Sequence, residues 1–366
     1  MKIHDITTLL EQTAPLSLQE DYDNAGLITG NAEWECSSVL VCLDATPEVI
    51  REAVRKKANL VVAHHPILFR GIKKINGANY VQQAIVEAIK NDIAIYAIHT
   101  NLDNVIVGVN GKMADKMGLI NRRILAPIKG RLRKLTVFVP NSHKESLMEA
   151  LFASGAGHIG NYSECGFTME GTGSFKPMDG ASPYSGELGK RQVEHEQRIE
   201  IIYPDWLQSR VLQAMRSAHP YEEIAHDIYS LDNHLQEIGA GIIGELPEPV
   251  DTSSFLRELR SIFNIPVIRH TAILKKQIRK VALCGGAGSF LTSRAKDAGA
   301  DLFITADVKY HEFFDADNQI VIADIGHYES EQFTIDLIAE LLTRNFPNFA
   351  VLKTEVNTNP VQYFKG

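Results

Sequence analysis

Apolar residues along this chain fall into two alternating patterns. Short β-branched runs at 38–43 (SVLVCL), 59–63 (NLVVA) and 93–98 (IAIYAI) predict buried strands. Between them, apolar positions three and four apart predict amphipathic helices. Val49, Ile50, Ala53 and Val54 mark one, and Val81, Ile85, Ala88 and Ile89 mark another over 80–91. Thr46 followed by Pro47 predicts the cap and first residue of the earlier helix. A shorter helical stretch follows near 110–118, and Ile6, Leu9 and Leu10 predict a helix at the start. Strand-helix alternation of this kind predicts parallel strands joined by helical crossovers.

The far end of the chain repeats the scheme. A strand at 280–284 runs into Gly285-Gly286-Ala287-Gly288, and further strands are expected at 301–305 (DLFIT) and 319–323 (QIVIA). Helices separate them, and one near 329–343 closes the pattern. VLVCLDATPEVIREAVRKKANLVVAHH and VALCGGAGSFLTSRAKDAGADLFITAD share a layout of strand, turn, helix, strand and polar pair. This reads as a divergent internal duplication, although the second half lacks roughly 15 residues found around 66–80.

Residues 130–236 break the alternation. The strand LRKLTVFV is followed by Pro140 and a helix from Ser142, where Ser142 and Glu145 fit a capping box. A glycine-rich turn at 155–160, a strand near 163–170, a loop GTGSFKP, a strand RIEIIY, a helix opened by Asp205 and a strand AHDIYSL complete the segment. The order β-α-β-β-α-β is the ferredoxin-like signature. The expected fold is therefore α/β, with two similar halves of largely parallel sheet at 1–129 and 237–366 forming one core domain. A ferredoxin-like α+β domain at 130–236 is inserted into a surface loop, where insertion is well tolerated.

Against this frame the polar residues at strand ends stand out, because ligands in open α/β sheets bind at the carboxyl ends of the strands. The second strand runs into His64 and His65 before Pro66, and the third into His99 and then Asp103. The strand at 319–323 is followed by His327 and Glu331, four apart and so on one helical face. Three imidazoles and two carboxylates suit two first-row divalent ions about 3.5–4 Å apart, with Zn, Mn or Fe favoured over Ca or Mg. Asp44, His99, Asp307 and His311 also lie at strand ends, as partners of the ligands or proton shuttles, or equally as helix caps and loop residues. His99 and Asp44 are the candidate general acid and base. The loop Cys284–Ser289 suits a phosphate cradle or a tight turn, without matching either glycine-rich nucleotide motif. Asp23-Asn24-Ala25-Gly26-Leu27 is a turn signal that either brings polar groups to the cleft or caps the first helix. The insertion carries His195, His219 and His226 without a convincing ligand set, and His219-Pro220-Tyr221-Glu222-Glu223 reads as a helix-ending loop. A structural or sensory role is expected there.

Composition narrows the partners. The net charge of −8 argues against non-specific binding to nucleic acid or anionic membrane. The four cysteines form no C-x-x-C pair and read as idle thiols of a reducing compartment. No run approaches the roughly 18 apolar residues of a membrane span, and the start lacks the apolar core of a signal peptide, so the cytoplasm is expected.

The segments DNAGL (23–27), AHHP (63–66), HTNLDN (99–104), CGGAGS (284–289), TADVKYH (305–311) and GHYESE (326–331) resemble, in order and spacing, the motif series of the NIF-three-like family. TADVKYH departs from it at the second residue, more often glycine. Many members carry a GTP cyclohydrolase type 2-like label. The resemblance implies a di-metal site on His64, His65, Asp103, His327 and Glu331. It also implies a toroidal hexamer whose clefts face an enclosed cavity, and a PII/CutA-like insertion of the kind that trimerises. Two functions are expected to compete. One is a metal-dependent hydrolase of a nucleotide-like, cyclic amide or phosphoester substrate. The other is a non-enzymatic metal-binding regulator or scaffold whose insertion senses a small effector.

Overall fold

The computed structural model describes residues 1–364. Two compact units divide the chain: Met1–Pro127 together with the segment from Glu237 on, and Ile128–Gln236. In the first unit the helix Ile3–Thr13 buries Ile3, Ile6 and Leu10. It is followed by β1 (Gly26–Thr29), β2 (Val39–Asp44), β3 (Leu60–His65) and β4 (Ala94–Ala97). β2, β3 and β4 pair in parallel, and β1 runs antiparallel to β4. Residues Val39–Leu43 and Leu60–His64 are all buried, which explains their unbroken apolar runs: both faces of the sheet are covered. Between β2 and β3 the helix Pro47–Lys56 starts at Thr46, whose side chain accepts from the Val49 N–H, and ends at Lys57 in a left-handed conformation.

After β4 come the short helix Thr100–Asp103, the helix Val109–Lys116 and β5 (Ile120–Pro127). Gly108 sits at the joint between the two helices. A Cβ there would lie 1.7 Å from the Leu102 carbonyl oxygen. Gly108→Ala is therefore expected to cost at least about 1–3 kcal/mol, since backbone rather than a flexible side chain must move. Denaturant unfolding would measure it, and an unchanged midpoint would show that this turn relaxes freely.

The second unit contains β6 (Leu132–Pro140), a helix Lys144–Ala153, β7 (Gly166–Phe175), β8 (Gln192–Pro204), a helix Gln208–Ala218 and β9 (His226–Leu231). Its antiparallel sheet has the order β7-β8-β6-β9. The stretch GTGSFKP, expected as a loop, is mostly strand: Gly171–Phe175 pair with Gln192–Glu196. The glycines hid it, and an edge strand tolerates them.

Returning to the first unit, the chain forms β10 (Gly239–Asp251), β11 (Arg269–His270), β12 (Gln277–Ala287), β13 (Leu302–Ala306), β14 (Val321–Asp324) and β15 (Val351–Lys353). The second sheet has the order β11-β14-β13-β12-β10-β5. Only β12, β13 and β14 pair in parallel, so this sheet is mixed rather than largely parallel. Alternate residues feed its two faces. Leu283 and Ile304 pack with Met113 and Phe255, while Ala282 and Phe303 pack on the other side.

The sheets do not follow the sequence halves. β5 joins the second sheet beside β10, and β15 returns to the first sheet, parallel to β2. Each half thus lends a strand to the other. No helix among the described residues is long and apolar enough to cross a membrane.

Candidate metal centre

His64 and His65 are the last residues of β3, and adjacent strand residues point to opposite faces. Their ring centroids are nonetheless 4.9 Å apart. Asp103 ends the short helix after β4, and His327 and Glu331 are the ends of the five-residue helix that follows β14. The sheets meet here. His65 Nε2 is 2.9 Å from Glu331 Oε2, and His327 Nε2 is 3.2 Å from the same oxygen. His64 Nε2 lies 3.9 Å from it and 3.7 Å from Asp103 Oδ1. All five expected ligands are brought together.

The orientation of the rings is more telling than their proximity. Each imidazole is held through Nδ1. His64 donates to the Ile98 carbonyl at 2.8 Å, His65 to Asp44 at 2.8 Å, and His327 to Asp307 at 2.7 Å. Each therefore turns Nε2 inward, and those of His65 and His327 are 3.4 Å apart. His64 Nε2 is buried and has no hydrogen-bond partner among the described residues. Converging ring nitrogens with their far sides tied to carboxylates or carbonyls are the outer-shell pattern of metal-binding histidines. The residues fit a cation. Five residues, His65, His327 and Glu331 in one set and His64, His65 and His99 in another, form candidate metal-binding clusters that share His65.

His99 comes nearer than a distant shuttle would. Its ring is 5.2 Å from that of His64 and 5.4 Å from that of His65, and its Nδ1 donates to Asp23 at 2.8 Å. Asp23 also accepts from the Thr100 N–H at 3.0 Å, so the 23–27 turn places a buried carboxylate behind His99 rather than on the cleft wall. His311 is elsewhere, in a turn where it stacks on Phe314.

The glycine loop has a different use from a phosphate cradle. The N–H groups of three of its glycines are already taken: Gly285 donates to Asn110, Gly286 to Ser330 and Gly288 to Thr305, each at 2.9 Å. A Cβ on Gly286, whose φ is +60°, would stand 2.4 Å from Glu331 Oε1. The glycine lets the carboxylate approach. Asn110 and Ser330 escaped sequence reading because nothing marks a side chain that will bind a loop N–H.

Charge follows from this geometry. Burial disfavours a charged His65, but its bonds to Asp44 and Glu331 outweigh that and hold it up at about 10. His327, likewise opposed by burial, is held up at about 11 by Asp307 and Glu331. Burial opposes the Glu331 charge too, yet the surrounding imidazoles keep its pKa below the usual carboxylate range. Asp103 is raised by burial. Burial, then Asp103 and Glu331, push the Cys284 thiol up, so it offers no thiolate. Asp23 falls to about 2, its bonds to His99 and Thr100 overcoming burial.

Without an ion, the raised imidazoles stabilise the fold fully below their ordinary 6.5 and lose that contribution as pH rises through about 10 and about 11. Chelator-treated protein is thus expected to melt at progressively lower temperature from about pH 7 upward. Metal affinity should move the other way over the same range, because ligands bind deprotonated. A melting temperature that rises with pH in chelator would contradict this reading.

A cleft of about 660 Å³ opens on the cluster, with Tyr22, Phe69, Tyr80 and Phe290 on its walls. Fold and site together define a mixed α/β protein with several sheets and a candidate His/carboxylate metal centre between two of them. The chain belongs to the Duf34/NIF3 (NGG1p interacting factor 3) family, whose model matches residues 1–360. It is 39% identical over 363 residues to a protein of Halalkalibacterium halodurans named GTP cyclohydrolase 1 type 2 homolog, covering 98% of both chains. A Bacillus subtilis protein of the same name is 37% identical, with 98% of this chain and 97% of that one covered. The crystal structure of a Bacillus cereus protein related to NIF3 superposes with a TM-score of 0.88 at 37% identity, covering 100% of this chain and 99% of the other.

Proposed function

We propose that His64, His65, Asp103, His327 and Glu331 hold two divalent transition-metal ions, zinc first, and that the protein is a cytoplasmic hydrolase of a nucleotide-like substrate. The convergence of three Nε2 atoms on one carboxylate oxygen carries this reading, since rings tied down through Nδ1 turn their Nε2 lone pairs toward one point once a cation displaces the protons there. Ions of this kind, when bound, make water nucleophilic near neutral pH and polarise the bond under attack.

The chain's own groups divide the remaining work. Glu331, 3% exposed, is the central anion of the cluster. His99 Nε2 makes no hydrogen bond among the described residues while Asp23 fixes the ring, so it is suited to carry a proton between water and a leaving nitrogen. Asp44 is committed to His65 and Thr358 and acts as an orienting group rather than as a base. The exposed rings at the cleft mouth would stack a planar base. Hydrolytic opening of an amidine or cyclic amide ring is favoured over phosphoester cleavage, because the N–H groups of Gly285, Gly286 and Gly288 are already bonded to side chains. The GTP cyclohydrolase naming of the relatives points the same way.

Zinc- and manganese-loaded protein assayed on GTP, other purine nucleotides, cyclic amides and phosphoesters tests the proposal. Turnover that disappears with chelator and returns with metal supports it. Equal turnover by metal-free and metal-loaded protein would overturn it. We also propose that the inserted unit is a ferredoxin-like module of the PII/CutA kind, from its β-α-β-β-α-β order and its strand order β7-β8-β6-β9. Assembly as a toroidal hexamer follows from the family resemblance. A solution mass six times the 40.6 kDa chain would support it, and a monomer would exclude it.

A further inference from the structure

The inserted unit carries a cavity of about 600 Å³ that has no part in the metal cluster. Its floor is the helix-free face of the β7-β8-β6-β9 sheet. Ile199, Ile201 and Tyr203 of β8 pack against Leu147, Leu151, Val211 and Met215 of the two helices. The intervening residues Glu196 and Arg198 therefore face the other way, into the cavity. The segment between β7 and β8 forms a wall and is tied down where the Ser182 N–H donates to Glu222 Oε1 at 2.8 Å.

Glu196 is the unusual group. It is only 9% exposed, and its Oε1 accepts from the Tyr221 hydroxyl at 3.1 Å. Its Oε2 has no hydrogen-bond partner and no cation among the described residues. That oxygen lies flat over Gly173, where a Cβ would come within 2.1 Å of it. Of the cations on the wall, Arg198 pairs with Glu200 at 2.6 Å, and Lys176 makes no ion pair with Glu196. A carboxylate this little exposed, with no ion-pair partner among the described residues, favours a cation beside it.

The rings around it are arranged, not scattered. Tyr221 is central, 5.9 Å from Tyr184 and 6.0 Å from Phe175 between centroids. His219 fixes it from behind: the Tyr221 N–H donates to His219 Nδ1 at 3.1 Å, while His219 Nε2 donates to the Phe138 carbonyl at 2.9 Å. The sequence His219-Pro220-Tyr221 is thus a mount for a ring, beyond ending a helix. Three aromatic rings and an unpaired carboxylate in one hollow are the recognition elements for an alkylated ammonium.

We propose that this cavity binds a small organic cation, a primary or quaternary alkylammonium, held against Glu196 between Tyr184, Tyr221 and Phe175. The assignment is independent of the metal reading, because none of these residues belongs to that cluster. It gives the inserted unit a ligand of its own, by which the chain would sense amine-bearing metabolites.

Isothermal titration of the full-length protein with tetramethylammonium, choline and n-butylamine tests it, with 3,3-dimethylbutan-1-ol as the uncharged shape-mate of choline. At least one cation is expected to bind, with the alcohol at least about tenfold weaker. Glu196→Gln should weaken binding about tenfold or more, with the far-ultraviolet spectrum unchanged. Tyr184→Ala, at a half-exposed ring, gives a second variant with little risk to the fold and should weaken binding several-fold. Equal binding of choline and the alcohol, cation binding untouched by both variants, or no cation bound at tens of millimolar would each overturn the proposal. So would a result in which Glu196→Gln only lowers the solution mass, since the hollow would then receive a side chain of a second copy.

Discussion

Replacing Glu331 by alanine is expected to reduce bound metal from about two ions per chain to one or none after mild dialysis, read by elemental analysis. The expectation rests on position. One oxygen of this buried carboxylate faces His65 Nε2 at 2.9 Å, His327 Nε2 at 3.2 Å and His64 Nε2 at 3.9 Å. Removing it deletes a carboxylate oxygen that lies within 4 Å of three imidazole nitrogens. His65→Ala should cost less, since Glu331 and His327 still face each other. Glu331→Gln keeps the volume and one oxygen but not the charge, and should fall between the two. Full metal content in both alanine variants would sink the ligand assignment outright.

The second large effect belongs to His99. His99→Ala is expected to lower hydrolysis by roughly 10²–10⁴ while both metals stay bound, the ordinary range for a lost proton carrier. Because His99 also lies within ligand range of His64 and His65, the metal content of this variant separates two roles. A loss of metal would make His99 a ligand instead. Asp23→Asn provides the companion measurement. Asp23 holds His99 through Nδ1, so its loss should displace the acid or base limb of the pH–rate profile more than it changes KM. An unshifted profile would leave Asp23 as a purely structural anchor for Thr100.

The strand ends were readable because burial on both sheet faces forces long apolar runs, and the first polar residues after such runs mark where the sheet opens. His64, His65 and Asp103 surface in this way. His327 and Glu331 also carry helical spacing. What sequence reading missed has two physical origins. Glycines concealed the outer part of β7, and the three residues Val351–Lys353, only two of them apolar, are too short a run to announce a strand. The partners of the glycine loop, Asn110 and Ser330, lie far from it in sequence and carry no periodic signal. A glycine-rich turn before a helix looks alike whether its N–H groups await phosphate or already bind side chains. Only the folded neighbours of Gly285, Gly286 and Gly288 distinguish the two.

The exchange of strands between the sheets bears on how the chain is made. β2 is complete by Asp44, yet the neighbour on its outer edge is Val351–Lys353. During synthesis that edge waits, with its N–H and C=O groups unpaired, while some three hundred residues are added, about 15–60 s at ordinary elongation rates. His64 and His65 wait almost as long for His327 and Glu331. Exposed parallel edges of this kind invite pairing with other chains. Truncations that stop short of residue 351 should therefore be found mainly in inclusion bodies or on chaperones, even when every residue of the cluster is present.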